Sequence, residues 1–225
     1  KTAYEITYGD WSSDVCSSDL RTAPPRTQHT AAGASAAVAG AEPHPRSTFE
    51  RMPKLHPKHF TVAPGKKVSL SDWKPDEDGG LSKSEGEERL ARNLSLVDEL
   101  QMKFWANKSR AMLVVLQGID TAGKDGVIRK VMTALNPQGV TVHSFKKPTD
   151  AEMAHDYLWR VHSRCPGKGE IGVFNRSHYE DVLVVRVHGL IEREEWRRRY
   201  AQINDFERML VEEGSVVLKL FLHIE

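Results

Sequence analysis

Cysteine is nearly absent: two occur among 225 residues, Cys16 and Cys165. They lie far apart and fit no metal-ligand spacing such as C-x2-C, which excludes a zinc site of that kind and a disulfide framework. Such usage suits a reducing compartment, and a cytoplasmic location is expected. Long apolar runs are lacking as well. The longest, residues 112–116, falls far short of the ~18 residues that a membrane-spanning helix needs, so no membrane partner is expected. Nor does one sign of charge prevail, since 32 Lys and Arg face 31 Asp and Glu for a net charge of +1. A balance of this kind names no nucleic-acid partner. What remains is ordinary globular composition with 39% hydrophobic residues, enough for one well-formed core.

The first fifty residues differ in texture from the rest. Residues 21–46 are built from Ala, Pro, Thr, Gly and Arg and lack the large apolar groups a core requires, so disorder is expected there. The alanine-rich run at 34–39 has no Leu-rich centre and starts too far inside the chain for a signal peptide. Residues 1–20, ending Trp11-Ser12-Ser13-Asp14-Val15-Cys16-Ser17-Ser18-Asp19-Leu20, show neither helical nor strand periodicity. They resemble translated sequencing-adapter read-through and are set aside as non-native. The expected organisation is therefore a disordered leader over 1–51, an extended arm over 52–86 with Met52 as a plausible start, and one domain over 87–225.

Within that domain, Leu90, Leu94, Val97, Leu100 and Phe104 recur at helical spacing and predict an amphipathic helix over 87–106. The run Met112-Leu113-Val114-Val115-Leu116 reads as a strand buried on both faces of a parallel sheet. A helix over 127–135 and a strand over 140–145 complete a βαβ unit. Thr149 and Glu152 form a capping-box pair that predicts one helix from there to about residue 164. A strand over 170–174, helices over 179–187 and 192–213, and a strand over 216–223 continue the alternation. This order predicts a doubly wound parallel α/β fold that binds ligands at the carboxyl ends of its strands.

Gly118-Ile119-Asp120-Thr121-Ala122-Gly123-Lys124 fits G-x-x-x-x-G-K, a loop whose backbone N–H groups cradle phosphate while the lysine adds a point charge. Its place between a predicted buried strand and a predicted helix aims the helix N-terminus at the anion. Gly118, Thr121, Ala122, Gly123, Lys124, Asp125 and Gly126 are the candidate phosphate-binding positions. Asp125 stands where a Ser or Thr hydroxyl ordinarily contacts Mg2+, so the metal must be held otherwise, and Asp120 supplies a carboxylate within the loop. A turn-stabilising role is the plainer reading of Asp120.

A second polar run, Asn175-Arg176-Ser177-His178-Tyr179-Glu180-Asp181, follows the third predicted strand at the ligand edge of the sheet. Arg176 offers a fork of donors matched to phosphate, and Asp181 a second metal carboxylate. The plainer reading is a helix N-terminus with Ser177 as cap and Glu180 and Asp181 facing the dipole. His178 and Tyr179 read as packing residues. Lys146 and Lys147 follow the second strand, where they could grip an anion or simply face water. Arg193 and Arg197-Arg198-Arg199 make a basic face on the long helix, read as solvated.

Taken together, Gly118-Ile119-Asp120-Thr121-Ala122-Gly123-Lys124-Asp125-Gly126, Asp156-Tyr157-Leu158-Trp159-Arg160 and 174–183 resemble the polyphosphate kinase 2 family. The resemblance extends from about Pro53 to the end of the chain and covers the unusual aspartate after the P-loop lysine. It implies a thymidylate-kinase-like P-loop fold that moves the terminal phosphoryl group of inorganic polyphosphate to a nucleoside mono- or diphosphate, with Mg2+ as cofactor and as a homo-oligomer. The motifs are most similar to the branch that phosphorylates AMP as well as ADP. Carried over by position, Asp120 and Asp181 would hold the metal, Lys124 and the loop amides the transferring phosphate, and Arg176 its developing charge, with Asn175, Lys146 and Lys147 nearby. Members of that family continue into an arginine-bearing helical lid, so a chain ending at Glu225 is expected to lack the lid, bind polyphosphate weakly and turn over slowly. An ATP-dependent kinase on the same fold and a non-catalytic phosphate-binding module are the alternatives.

Overall fold

The computed structural model describes residues 2–6 and 60–224, apart from positions 64 and 67. The expectations for the rest of residues 1–51 lie outside the described residues. A first strand, β1 (Thr2–Ile6), is followed by β2 (Thr61–Val62), a 3-10 turn at Leu70–Asp72 and the long helix α1 (Lys83–Asn107). The helix expected over 87–106 starts earlier, after Ser82, whose hydroxyl accepts from the Glu85 amide while Glu85 reaches back to the Ser82 amide, a complete capping box.

Next come β3 (Ala111–Gly118), α2 (Lys124–Met132), β4 (Val140–Ser144), the single turns α3 (Asp150–Met153) and α4 (Trp159–His162), β5 (Ile171–Asn175), α5 (Glu180–Val187), α6 (Arg193–Glu212) and β6 (Ser215–His223). The sheet runs β2-β1-β6-β3-β5-β4. Four strands, β4, β5, β3 and β6, pair in parallel, and β1 joins the outer edge of β6 antiparallel. The expected parallel α/β architecture is present, with helices on both faces.

Strand alternation divides the core into two layers. Leu113 and Val115 of β3 and Phe174 of β5 point to one face, where Val161, Val182, Ile203, Phe206 and Leu210 from α4, α5 and α6 cover them. Val114, Leu116 and Val173 point to the other, against Val97 and Phe104 of α1 and Ile128 and Met132 of α2. The apolar stripe of α6 is therefore what fixes that helix to the sheet, and its ends set the position of the site beside β5.

Two expectations fail locally. The segment set aside at 1–20 contains β1, because the outer edge of β6 presents unpaired backbone N–H and C=O groups that an extended segment can pair with whatever its side-chain pattern. The single helix expected from Thr149 to about 164 is two turns. Its capping box forms, but Ala154 closes the first turn, and the Asp156 carboxylate accepts from the Leu158 amide at 3.0 Å, a local bond that competes with a continuous helix.

Candidate active site

The glycine loop is built by backbone constraints. Gly118 ends β3 at φ 150°, and a Cβ there would lie 2.8 Å from the Leu222 carbonyl oxygen and 3.0 Å from the Ala122 Cβ. Thr121 at φ 71° and Gly123 at φ 83° turn the chain into α2, so that the helix N-terminus faces the loop. Gly118→Ala should consequently displace the loop or the β6 end. A loss of about 1–3 kcal/mol is expected, as for other overpacked sites, and thermal melting of the variant checks it.

Lys124 is buried, and its Nζ donates to the carbonyls of Gly118 (2.8 Å) and Ile119 (3.0 Å), which holds the ammonium beneath the loop. The Ala122 amide donates to the Ile119 carbonyl at 3.1 Å, and Ala122 itself is buried. Gly126 is exposed in the first turn of α2. Arg176 follows β5 in the left-handed region (φ 62°), its amide tied to the Leu116 carbonyl and its guanidinium donating to Asp120 Oδ1 at 2.7 Å. A non-glycine residue held there marks a loop over-determined by its surroundings. Asn175 donates to Asp125 Oδ1 at 2.6 Å, so the carboxylate after the lysine is a tie between the two runs.

These groups surround one cavity of about 590 Å3, lined by Asp120, Thr121, Gly123, Lys124, Asp125, Lys146, Asn175 and Arg176 among others. Lys147 is exposed and is not part of its lining. Nor is Asp181, which the sequence pairs with Asp120. Its carboxylate accepts from Arg160 at 3.1 Å, with both side chains nearly buried, and its carbonyl accepts from Arg199 at 2.8 Å. Adjacent residues on a helix project about 100° apart, and at the start of α5 it is Glu180 that faces the loop. Burial pushes the Glu180 carboxyl up, Arg176 and Lys124 draw it back, and Asp120 adds to the rise. Gln117, with its amide turned so that the oxygen accepts from Ser177, donates to Glu180 at 3.1 Å.

Asp181 instead lines a second cavity of about 620 Å3 together with Tyr157, Arg160, Glu195, Arg198 and Arg199. Arg199, read from the sequence as solvated, is turned inward. It reaches Glu195 at 2.8 Å and lies over the Tyr157 ring at 4.5 Å, and its side chain is only 14% exposed. Lys146 links the two cavities, since it lines the first while its carbonyl accepts from Arg160 at 2.7 Å. Arg160→Leu should leave the Asp181 carboxylate buried without its partner. Such uncompensated charges typically cost about 3–5 kcal/mol, a loss that denaturant unfolding would register as a lower midpoint.

His155, His162 and Cys165, which share no ligand spacing, are packing groups. His155 stacks on Trp159 at 4.1 Å and His162 meets Phe206 edge-on at 5.5 Å. Burial pushes the Cys165 thiol up to about 11. Beneath the 175–181 run, however, lies a network with no counterpart in the sequence reading. Glu207 of α6 accepts from Tyr179 (2.7 Å) and Lys219 (2.8 Å) and pairs with His178 (3.2 Å), all four side chains being fully buried. The signal was present: Glu207 falls on the apolar stripe between Ile203 and Leu210, and Lys219 interrupts the apolar strand β6.

A parallel sheet whose central strand runs through a glycine loop into a helix, with a buried lysine under that loop, defines an α/β P-loop protein of the kinase type. More narrowly, the chain belongs to the polyphosphate kinase 2 family, whose model matches residues 80–225. It is 48% identical over 169 residues to an AMP/ADP-polyphosphate phosphotransferase of Meiothermus ruber, and 41% identical over 184 residues to an ADP-polyphosphate phosphotransferase of Rhodopseudomonas palustris. Those matches cover 74% and 76% of this chain and 63% and 64% of the relatives. The crystal structure of polyphosphate kinase 2 from Arthrobacter aurescens TC1 superposes with a TM-score of 0.68 at 42% identity, covering 73% of this chain and 59% of that one. The chain thus spans less than two thirds of the length of these relatives.

Proposed function

We propose that this protein transfers the terminal phosphoryl group of inorganic polyphosphate to a nucleoside mono- or diphosphate, AMP or ADP, reversibly and with Mg2+. The observation that carries this reading is the P-loop cavity, where Lys124, Lys146 and Arg176 converge on the space in front of the glycine loop. A second cavity, to which the 175–181 run also contributes, sets Arg160, Arg198 and Arg199 among the carboxylates of Glu152, Asp156, Asp181 and Glu195. Two polyanions can thereby meet at one wall. The activities for which the Meiothermus and Rhodopseudomonas relatives are named favour the same substrates.

In this mechanism the P-loop cavity takes the phosphoryl group in flight. Lys124 leaves the loop carbonyls for the phosphate, and the amides at the start of α2 share its charge. The terminal P–O anhydride bond of polyphosphate breaks while a new bond forms to an oxygen of the acceptor's last phosphate, which leaves the polymer one unit shorter. Arg176 neutralises the equatorial oxygens once it exchanges Asp120 for them, and electrostatic positioning of this kind suffices for a loose transition state. The acceptor lies in the second cavity, its phosphate toward Arg160 and Arg199.

The residues present fit a Mg2+ ion, which needs only one or two carboxylates besides substrate phosphates. Asp120, 82% exposed at the cavity and paired with Arg176, is the first candidate, with Glu180, whose carboxyl feels Asp120, Arg176 and Lys124, as a second. Held by such carboxylates, the ion would supply positive charge that offsets that of the phosphates. Among the described residues no group of three or more His, Cys, Asp or Glu forms a site that would bind a metal without phosphate.

The test supplies Mg2+ and polyphosphate with AMP, ADP or GDP separately, at enzyme in excess of substrate, and follows phosphorylated nucleotide. Formation of ADP or ATP from polyphosphate is expected. Consumption of ATP with a small acceptor, and none of polyphosphate, would replace this reading with an ATP-dependent kinase.

A further inference from the structure

The polar network under the 175–181 run has no part in the transfer as described, yet it is the most costly arrangement in the core. An anion and a cation, Glu207 and Lys219, are both completely buried. A pair of apolar side chains of similar volume would serve packing at least as well. What the pair does beyond packing is visible in its other bonds. Burial pushes the Glu207 carboxyl up, but the His178 hydrogen bond and the Lys219 charge outweigh it and hold the carboxyl below its ordinary range. Glu207 is therefore an ionised acceptor. The His178 Nε2–H donates to it, and the Tyr179 hydroxyl donates to the same oxygen, Oε1.

His178 Nδ1 is buried with no hydrogen-bond partner, so the bond to Glu207 is the one polar bond that orients the ring. Lys219 Nζ contacts Glu207 Oε2 at 2.8 Å and the Tyr179 hydroxyl at 3.3 Å, which keeps the carboxylate turned toward the loop. In the chain the two residues so anchored stand between Arg176 at the phosphate cavity and Glu180, whose carboxyl feels Arg176 and Lys124, with Asp181 of the second cavity following. Arg176 itself occupies a left-handed backbone conformation that the surroundings must enforce.

We infer that Glu207 is a positioning residue: by accepting from His178 and Tyr179 it fixes the loop that carries Arg176 and Glu180, and Lys219 holds Glu207 in place. The inference rests on the proposed transfer for its kinetic readout only. In chemical terms, the network should matter to the transition state more than to the bound ground state, because Lys124 and the loop amides do not depend on it.

The double variant Glu207→Met with Lys219→Met removes both charges and keeps much of the volume, and Tyr179→Phe removes one hydroxyl with almost no change of shape. For the double variant, single-turnover transfer from polyphosphate to ADP should slow roughly 10²-fold, the effect typical of an ~1 Å misplacement in an active site. The apparent affinity for polyphosphate should stay within about threefold, on the grounds that uniform binding is not lost. Tyr179→Phe should slow transfer by a smaller factor with the same pattern and, since it takes one donor from a buried carboxylate, lower the melting temperature modestly without loss of folding.

Amide hydrogen exchange gives a second readout that needs no turnover. Both variants should exchange faster over 175–181 while α1 and β3 keep wild-type protection. If the double variant does not fold, Tyr179→Phe alone decides. Wild-type transfer rates together with wild-type exchange over 175–181 would show the network to be packing only and overturn the inference. If the unaltered chain transfers nothing from polyphosphate, the proposed function fails, and the exchange experiment still tests the positioning claim.

Discussion

Replacing Lys124 with alanine is expected to slow phosphoryl transfer by about 10²–10³-fold, the range found when one preorganised donor is removed from a developing charge. The magnitude follows from where the ammonium lies. Lys124 is only 8% exposed, and its Nζ is held by the Gly118 and Ile119 carbonyls, directly under the loop that would receive the phosphate. A cation stored at that point moves only a short way to the anion. The two carbonyls it leaves belong to the glycine loop, where Ile119 and Asp120 are exposed and water can replace it, so folding should suffer much less than catalysis. Single-turnover rates of the variant beside its melting temperature check both halves of the statement. A variant that transfers phosphate at the wild-type rate would exclude the P-loop as the site of transfer.

Arg176→Lys should be nearly as damaging, a loss of about 10²-fold, although the charge is kept. A guanidinium can hold two phosphate oxygens at once with parallel N–H donors, whereas an ammonium offers a point charge. Arg176 also has to trade its present partner, Asp120 Oδ1 at 2.7 Å, for the phosphate. A lysine can keep the single bond to Asp120 and lacks the fork that makes the exchange favourable. Since neither residue is a glycine, the left-handed backbone at this position costs both alike, and stability should not change. The check is kcat against KM for polyphosphate in the lysine variant. A fall in kcat is expected, whereas a rise in KM alone would assign Arg176 to binding.

The parallel sheet and the glycine loop were legible because each is specified locally. The run at 112–116 is apolar at every position, as a strand covered on both faces requires, and the loop follows it without a break. The helix expected over 149–164 was not, for its interruption depends on one carboxylate, that of Asp156, choosing the backbone amide two residues on. That Asp181 lies away from the P-loop cavity was not legible for a related reason. Periodicity places Glu180 and Asp181 at the start of α5 but does not say which of two neighbours faces the loop, and the answer lies in Arg160, supplied by a distant turn. Glu207 and Lys219 were half legible. Each interrupts an apolar pattern, which marks it as inward-facing, but that they are partners, 2.8 Å apart, follows only from the packing of α6 on β6.

The account stands most directly on where the transferred group comes from. Polyphosphate labelled in its terminal phosphate, mixed with ADP, Mg2+ and an excess of the protein, should pass the label to ATP in a single turnover, and Lys124→Ala should slow that transfer by about 10²–10³-fold, the range expected for one lost donor. Label that stays in the polymer, with no labelled ATP formed, would contradict it.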